Sequence, residues 1–255
     1  MSGLATALAF YTRVPLGRAA TEAGDLAAAA PWFPVAGAAV GAAIAGVYAG
    51  LGAVLPRGLA AAVAIAFGAA LTGAFHEDGL ADVADAFGGG HTPERRLEIL
   101  DDPRLGTFGV LATAAAFVVR VTAVSALGTY DALAVLPAAG ALSRAPAVVL
   151  MRRQRAARRD GLAATLAGGI GPAQELGAVA SAAAIAAVSL GVWAAPSAVV
   201  AVVVPAAMAF VARKKIGGTS GDVLGATQQL VDLGVLVLAA AVVHEAWGEL
   251  AWWAP

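Results

Sequence analysis

The sequence contains no cysteine and little charge. Of its 255 residues, three are histidine and 13% are Asp, Glu, Lys or Arg. The lack of cysteine excludes disulfides and thiolate metal ligands, and three histidines leave little material for a soft-metal site. Soluble domains carry about 25% charged residues. This chain therefore has too little charge to cover a surface that faces water.

The chain contains long apolar runs: 60% of its residues are hydrophobic, and its mean hydropathy is +0.81. A spanning helix needs about 20 mostly apolar residues. Leu176–Ala212 is uncharged but too long for one crossing, so Pro196 near its middle predicts two spans with a turn there. We expect an all-α, polytopic transmembrane helical bundle of about seven spans, forming a single integral-membrane catalytic domain over residues 1–255. The remaining candidate spans are Trp32–Leu55, Gly58–Phe75, Leu105–Tyr130, Ala132–Leu150 and Leu233–Trp247.

The basic residues gather on one side of this predicted bundle. Arg57 falls on the opposite side and Arg120 and Arg144 fall within spans, so 13 of the 16 Lys and Arg residues (16 minus 3) lie in the long connections. The positive-inside rule places those connections in the cytoplasm. We therefore predict a multi-pass protein of a bacterial inner membrane with a cytoplasmic active site. The long connections are residues 1–31, 76–104, 151–175 and 213–232.

A dense acidic motif, HEDGLADVADAFGGG, occupies residues 76–90. Asp78, Asp82 and Asp85 are spaced i, i+4 and i+7, so a helix places them on one face, and the glycine triplet ends that helix. Like charges at this spacing repel, and no basic residue stands at matching positions. Magnesium prefers oxygen ligands and often bridges carboxylates to substrate phosphates. The motif predicts a short cytoplasmic helix that holds Mg²⁺, although a solvated acidic helix is the plainer alternative.

Two neighbours of this stripe are further candidates. Glu77 points off the acidic face and is predicted to support it. His76 is a candidate general base or phosphate hydrogen-bond donor, with a structural role at the membrane interface as the alternative. The candidate catalytic residues are His76, Glu77, Asp78 and Asp82.

A glycine-rich segment, RKKIGGTSGDVLGAT, covers residues 213–227. Its glycines let the backbone approach a phosphate, and Asp222 is predicted to join Asp78, Asp82 and Asp85 in the metal site. The segment lacks the order of a Walker A motif, and a simple turn remains the alternative. The phosphate-binding candidates here are Lys214, Gly217, Gly218, Thr219, Ser220 and Gly221.

Arginines elsewhere are open to two interpretations. Arg104, beside a helix start, is either a phosphate ligand or an interface anchor. The run Arg152–Arg159 is interpreted first as a topology determinant or a contact for anionic lipid, and only then as a nucleotide site. Arg120 and Arg144 are costly in a bilayer and are predicted to face the bundle interior.

These motifs together resemble the cobalamin synthase, or adenosylcobinamide-GDP ribazoletransferase, family. The resemblance rests on HEDGLAD with the following Asp85, on GGTSGD at 217–222, on FYTRVP at 10–15 and PVAG at 34–37, and on RRLEIL at 95–100 and RLGTFG at 104–109. Two positions depart from the family pattern. Asp101 stands where a lysine is usual, and Thr219-Ser220 replace a hydrophobic residue followed by threonine.

The resemblance implies the last assembly step of the coenzyme. A ribose hydroxyl of α-ribazole, or of its 5′-phosphate, attacks the corrinoid-proximal phosphorus of adenosylcobinamide-GDP and GMP leaves. It also implies Mg²⁺ as cofactor, and this chemistry would use Arg13 and Arg104 on phosphate oxygens. The expected partners are these substrates, membrane lipid and other corrinoid-pathway enzymes, with no nucleic acid.

Two other functions compete with this one. An enzyme of the CDP-alcohol phosphotransferase kind also places several aspartates at a cytoplasmic membrane surface, but Ala81 is followed here by Asp82 where that motif has arginine. A transporter needs ionisable groups near mid-membrane and access from both faces. The one-sided charges of this chain fit surface chemistry better.

Overall fold

The computed structural model describes residues 3–16, 23–158, 162–245, 247 and 250–254. Every regular element in those ranges is helical, which confirms the predicted all-α fold class. Arg18 and Arg159, two of the 13 basic residues of the long connections, lie outside the described residues. The helices are α1 Gly3–Tyr11, α2 Ala23–Ala29, α3 Phe33–Gly52, α4 Arg57–Thr72, α5 Phe75–Gly89, α6 Pro93–Leu100, α7 Thr107–Ala126, α8 Thr129–Arg153, α9 Leu162–Ala167, α10 Pro172–Leu190, α11 Ala194–Ile216 and α12 Gly221–His244.

Five helical stretches are long and apolar enough to cross a membrane, so this is a helical membrane protein. The pair α4 and α5 passes the same test only when joined, and the two helices meet at 91°. The count is therefore five or six by length and composition, and the predicted number of seven spans stays a prediction. The five stretches are Asp25–Gly52, Thr107–Ala126, Thr129–Arg153, Pro172–Ile216 and Gly221–His244.

The stretch Pro172–Ile216 turns back on itself, as expected from its length. A 3₁₀ turn at Gly191–Trp193 separates α10 from α11. Gly191 has φ 53°, and a Cβ there would lie 2.9 Å from the Trp252 ring, so the turn requires glycine. The turn thus precedes the predicted Pro196, because proline is tolerated in the first turn of α11.

Helix α8 forms the centre of the bundle and is buried along most of its length. Glycines let α3 cross it backbone to backbone. A Cβ on Gly37 would lie 2.1 Å from the Gly140 carbonyl oxygen, and one on Gly41 would lie 2.1 Å from that of Leu136. Such small residues spaced by four are typical of packed membrane helices. This contact fixes the scaffold on which the remaining helices, including those of the acidic motif, are placed.

Candidate active site

A sharp turn sets the acidic helix at 91° to α4. Gly73 with φ 70° ends α4, and Ala74 with φ 57° follows in the same left-handed region. Arg13 lies against this turn: its backbone N–H donates to the Leu71 carbonyl at 2.8 Å, and its Nε would be 2.1 Å from a Cβ on Gly73. Because of this turn, α5 packs against α12 and reaches the start of α7. Its acidic face is presented at one rim of the bundle.

Close packing of α5 on α12 brings the acidic motif to the glycine-rich segment. A Cβ on Gly79 would lie 2.9 Å from the Asp222 carbonyl oxygen, 3.1 Å from the Asp222 Cα and 3.3 Å from the Gly225 Cα. All three neighbours are backbone atoms, so the helices touch where only glycine fits. The two motifs, far apart in sequence, therefore form one site.

Four carboxylates converge at this rim. Burial, together with the charges of Asp78, Asp222 and Asp85, raises the pKa of Asp82 to about 7. None of the four carboxylates forms an ion pair with a Lys, Arg or His of the described residues. The arrangement thus concentrates negative charge and lacks a paired protein cation.

Asp85 also has a structural partner that the sequence did not suggest. Its Oδ2 accepts a hydrogen bond from the Gly106 N–H at 2.7 Å, and its Oδ1 accepts one from the Gly109 N–H at 2.9 Å. Both donors belong to the start of α7, where backbone N–H groups have no partner within the helix. Asp85 therefore caps α7 from a neighbouring helix. It would bind a cation only with the lone pairs that this cap leaves free.

The carboxylates of this site fit a magnesium ion that keeps several of its water ligands. Among the described residues, no group of three or more His, Asp or Glu side chains is arranged to hold a metal ion by itself. Magnesium, however, usually keeps several waters and takes one or two carboxylates together with substrate phosphates. The carboxylates of Asp78, Asp82 and Asp222 meet that requirement by chemical type.

The glycine-rich segment is held in place by its backbone. Gly217, with φ 79°, ends α11. The Thr219 N–H donates to the Arg155 carbonyl at 2.8 Å, and the Ala157 N–H donates to the Thr219 carbonyl at 2.7 Å. A Cβ on Gly218 would lie 2.3 Å from the Arg155 carbonyl oxygen. Gly218 and Thr219, predicted as phosphate ligands, therefore pack against the segment after α8.

The start of α12 follows directly. Ser220 caps it, because its Oγ accepts a hydrogen bond from the Val223 N–H at 3.2 Å. The same hydroxyl donates to the Asp222 Oδ2 at 3.2 Å and orients that carboxylate. Ser220 and Gly221 thus stand at a helix N-terminus that touches the acidic helix, which is a favourable position for a phosphate group.

Two of the predicted phosphate-binding cations have protein partners. Arg104 is exposed and donates two hydrogen bonds to Asp102, at 2.9 and 2.6 Å, which lower the pKa of that carboxyl to about 2. Lys214 lies over the Phe210 ring at 4.4 Å. Its neighbour Lys215 instead reaches the acidic helix, because its Nζ donates to the Phe87 carbonyl at 2.7 Å.

Arg158 is a cation of this rim that the sequence did not single out. It donates hydrogen bonds to the Asp101 carboxylate and the Leu97 carbonyl, and its charge also acts on Asp222. Asp101, which departs from the family pattern, is therefore neutralised by this arginine. The signal for it in the sequence is the basic run Arg152–Arg159, whose charge alone predicts a topology determinant, a lipid contact or a nucleotide site and not a partner for Asp101.

A buried ionic network centred on Arg120 links the acidic helix to α7 and α12. Arg120 is 8% exposed, and its guanidinium lies 3.1 Å from the Glu77 Oε1, 3.2 Å from the Asp232 Oδ2 and 3.3 Å from the Gln229 Oε1. It therefore joins α5, α7 and α12. Arg120 and Arg144, which is 4% exposed, face the interior as predicted. The sequence signal for Gln229 and Asp232 was their polarity inside an apolar helix.

His76 lies among aromatic rings and is 5% exposed. Its imidazole stacks on the Tyr11 ring at 5.5 Å between centroids, and the Phe75 ring meets it edge-on at 5.1 Å. A general base must come within hydrogen-bonding reach of its proton. The packing of His76 therefore favours the structural alternative for this residue, and its catalytic role stays a prediction.

Comparison with known proteins agrees with the resemblance drawn from the motifs. A sequence profile of the cobalamin-5-phosphate synthase family matches residues 3–240. The chain is 38% identical to the adenosylcobinamide-GDP ribazoletransferase of Sinorhizobium medicae, with 94% of this chain and 96% of that protein covered. It is 39% identical to the enzyme of the same name from Bradyrhizobium diazoefficiens, with 94% of each chain covered. No solved structure matches.

Proposed function

The chain belongs to the cobalamin-5-phosphate synthase family, and on that premise we propose how it completes cobalamin nucleotide-loop assembly. The transferred group is adenosylcobinamide phosphate, the donor is adenosylcobinamide-GDP, and the acceptor is α-ribazole or its 5′-phosphate. An acceptor hydroxyl oxygen forms a bond to the corrinoid-proximal phosphorus. The bond from that phosphorus to the bridging oxygen breaks, and GMP leaves with this oxygen.

One observation carries the assignment of the site. The acidic face of α5 meets the start of α12 at Gly79, where Asp78, Asp82 and Asp222 converge with no paired cation among the residues that the structure describes. Displacement at a diphosphate depends on positioning and charge neutralisation more than on covalent catalysis. A carboxylate group of this kind cannot bind a diphosphate directly, because both are negatively charged. Held by these carboxylates, a divalent cation would offset the repulsion.

Mg²⁺ held by Asp78, Asp82 and Asp222 would supply charge neutralisation for the diphosphate and for the departing GMP. The chain's own groups position the substrate around it. The N-terminus of α12 at Ser220 and Gly221 favours phosphate oxygens. Since His76 is buried, a carboxylate of the rim is the better candidate to accept the hydroxyl proton.

We place this rim on the cytoplasmic face of an inner membrane. The supporting observation is the concentration of basic residues in the predicted long connections. Guanine nucleotides are cytoplasmic metabolites, so a donor that carries GDP fits this side. We also propose that the chain associates with other corrinoid-pathway enzymes, because a site on the cytoplasmic face is accessible to them.

The test is GMP release by the purified protein in lipid nanodiscs with adenosylcobinamide-GDP, α-ribazole and Mg²⁺. We expect release to require the divalent cation and to fall by at least 100-fold in Asp82→Asn, on the order of the loss of one charge-stabilising group. Glu94→Gln, which neutralises an exposed acid of α6, is the control and should keep full activity. Equal activity of Asp82→Asn and Glu94→Gln would overturn the site assignment while leaving family membership intact.

A further inference from the structure

A cavity of about 720 Å³ lies between α8, α10 and α11, away from the acidic rim. Its walls are mostly alanine, valine and proline. Among the described residues, no acidic side chain lines it, and the polar lining residues are Arg153, Gln154 and Arg213. An apolar void of this size leaves its lining without contact partners. The cavity also lacks the polar groups that would recognise a sugar, a nucleotide or a corrin amide.

The cavity opens toward the membrane. Val179, Val202 and Phe210 line it and are also 44%, 67% and 57% exposed. The lining follows α11 from Ala194 to Arg213, about 28 Å at 1.5 Å per residue. That length is close to the thickness of the hydrocarbon core of a bilayer. The apolar wall is therefore long enough for the acyl chain of a lipid in one leaflet, and the chain has lateral access to it.

Positive charge stands at one end of the cavity. Arg153 and its neighbour Arg152 both bind Glu175. Arg213 is exposed and has no salt-bridge partner among the described residues. Three arginines and one glutamate leave a net charge of +2. These arginines lie in the last turns of α8 and α11. They are among the basic residues that the positive-inside rule assigns to the cytoplasmic side.

We propose that this cavity binds an anionic phospholipid of the cytoplasmic leaflet, with an acyl chain between α10 and α11 and its phosphate against Arg153 and Arg213. Basic pockets between membrane helices on the cytoplasmic side are known to bind anionic headgroups, and this one continues into an apolar slot. The alanines of α10 and α11 leave the slot open. The proposal does not depend on the chemistry at the acidic rim.

The test is native mass spectrometry of the purified chain in detergent, titrated with phosphatidylglycerol or with phosphatidylcholine. We expect the anionic lipid to form a one-to-one adduct at a concentration at least fivefold lower. Arg213→Gln should weaken that adduct about fivefold, the effect of one arginine near a lipid headgroup. Arg57→Gln, which removes a positive charge on the opposite side, is the matched control and should change nothing.

A second pair of variants tests the slot rather than the charge. Ala206 lines the cavity and Ala207 does not, although both are exposed on α11. We expect Ala206→Phe to fill the slot and remove the adduct, and Ala207→Phe to keep it.

Equal binding of the two lipids by the unmodified chain would overturn the proposal, even if no variant folded. Equal adducts in the two phenylalanine variants would also overturn it. A dimer that Ala206→Phe dissociates would identify a second copy of the chain as the occupant and would refute the lipid assignment.

Discussion

Replacing Gly79 with alanine should separate the two halves of the active site. The added Cβ would lie 2.9 Å from the Asp222 carbonyl oxygen and 3.1 Å from its Cα. Both neighbours are backbone, so α5 and α12 must move apart by a few tenths of an ångström. Overpacking of this kind costs about 1–3 kcal/mol, partly offset by the gain of about 0.5–1 kcal/mol when alanine replaces glycine in a helix.

The larger effect should be on catalysis, because Asp78 and Asp82 would shift relative to Asp222. A misplacement of about 1 Å can cost 100-fold in rate, so we expect a 10- to 100-fold loss of kcat for GMP release, with a small decrease in Tm. Gly89→Ala is the matched control in the same helix, since a Cβ there has no neighbour within 4 Å. It should keep kcat and leave Tm unchanged or slightly higher. Wild-type kcat in Gly79→Ala would refute the argument that this contact assembles the site.

Three further predictions concern single groups. Because the pKa of Asp82 is raised to about 7 from its ordinary value of 3.8, its neutral form is favoured at lower pH. Protons should therefore compete with Mg²⁺ for Asp82 as the pH falls through about 7. In the native chain, the Mg²⁺ concentration that gives half-maximal activity should be higher at pH 6 than at pH 8. In Asp82→Asn this concentration should not change between the two pH values. Arg120→Gln leaves the buried carboxylate of Asp232 and the half-buried carboxylate of Glu77 without their cation. It should destabilise the fold by about 3–5 kcal/mol, the cost of breaking a buried ion pair, measured by denaturation in detergent. An unchanged unfolding midpoint would contradict it. Asp85→Asn keeps one of two hydrogen bonds to the start of α7 and should cost about 1 kcal/mol of stability. Its loss of Mg²⁺ activation should be smaller than that of Asp82→Asn. A larger loss in Asp85→Asn than in Asp82→Asn would make Asp85 a principal metal ligand.

The sequence predicted those parts of the fold that depend on local composition. Membrane helices follow from the length of apolar runs, and the reversal within Leu176–Ala212 followed from its excess length. The turn itself formed at Gly191 rather than Pro196, because the left-handed backbone there needs glycine. The 91° bend between α4 and α5 was not predicted, since it depends on two consecutive left-handed residues.

The site was predictable only as separate motifs. The spacing of Asp78 and Asp82 indicated one helix face. Asp222 comes beside them because α5 and α12 touch at Gly79 and Gly225, and a contact between two helices cannot be predicted from either motif alone. The cap that Asp85 gives α7 joins positions 21 and 24 residues apart. Such pairings leave no periodic signal, so the sequence could assign Asp85 to a metal but not to a helix terminus.

Binding of Mn²⁺, a paramagnetic substitute for Mg²⁺, tests the central claim most directly. Titration followed by electron paramagnetic resonance, in the presence of a non-reacting guanosine diphosphate, should show saturable binding to the native chain. Binding should be lost in the double variant Asp78→Asn with Asp82→Asn and kept in Glu94→Gln. Identical titration curves for all three proteins would contradict a divalent cation at the rim where α5 meets α12.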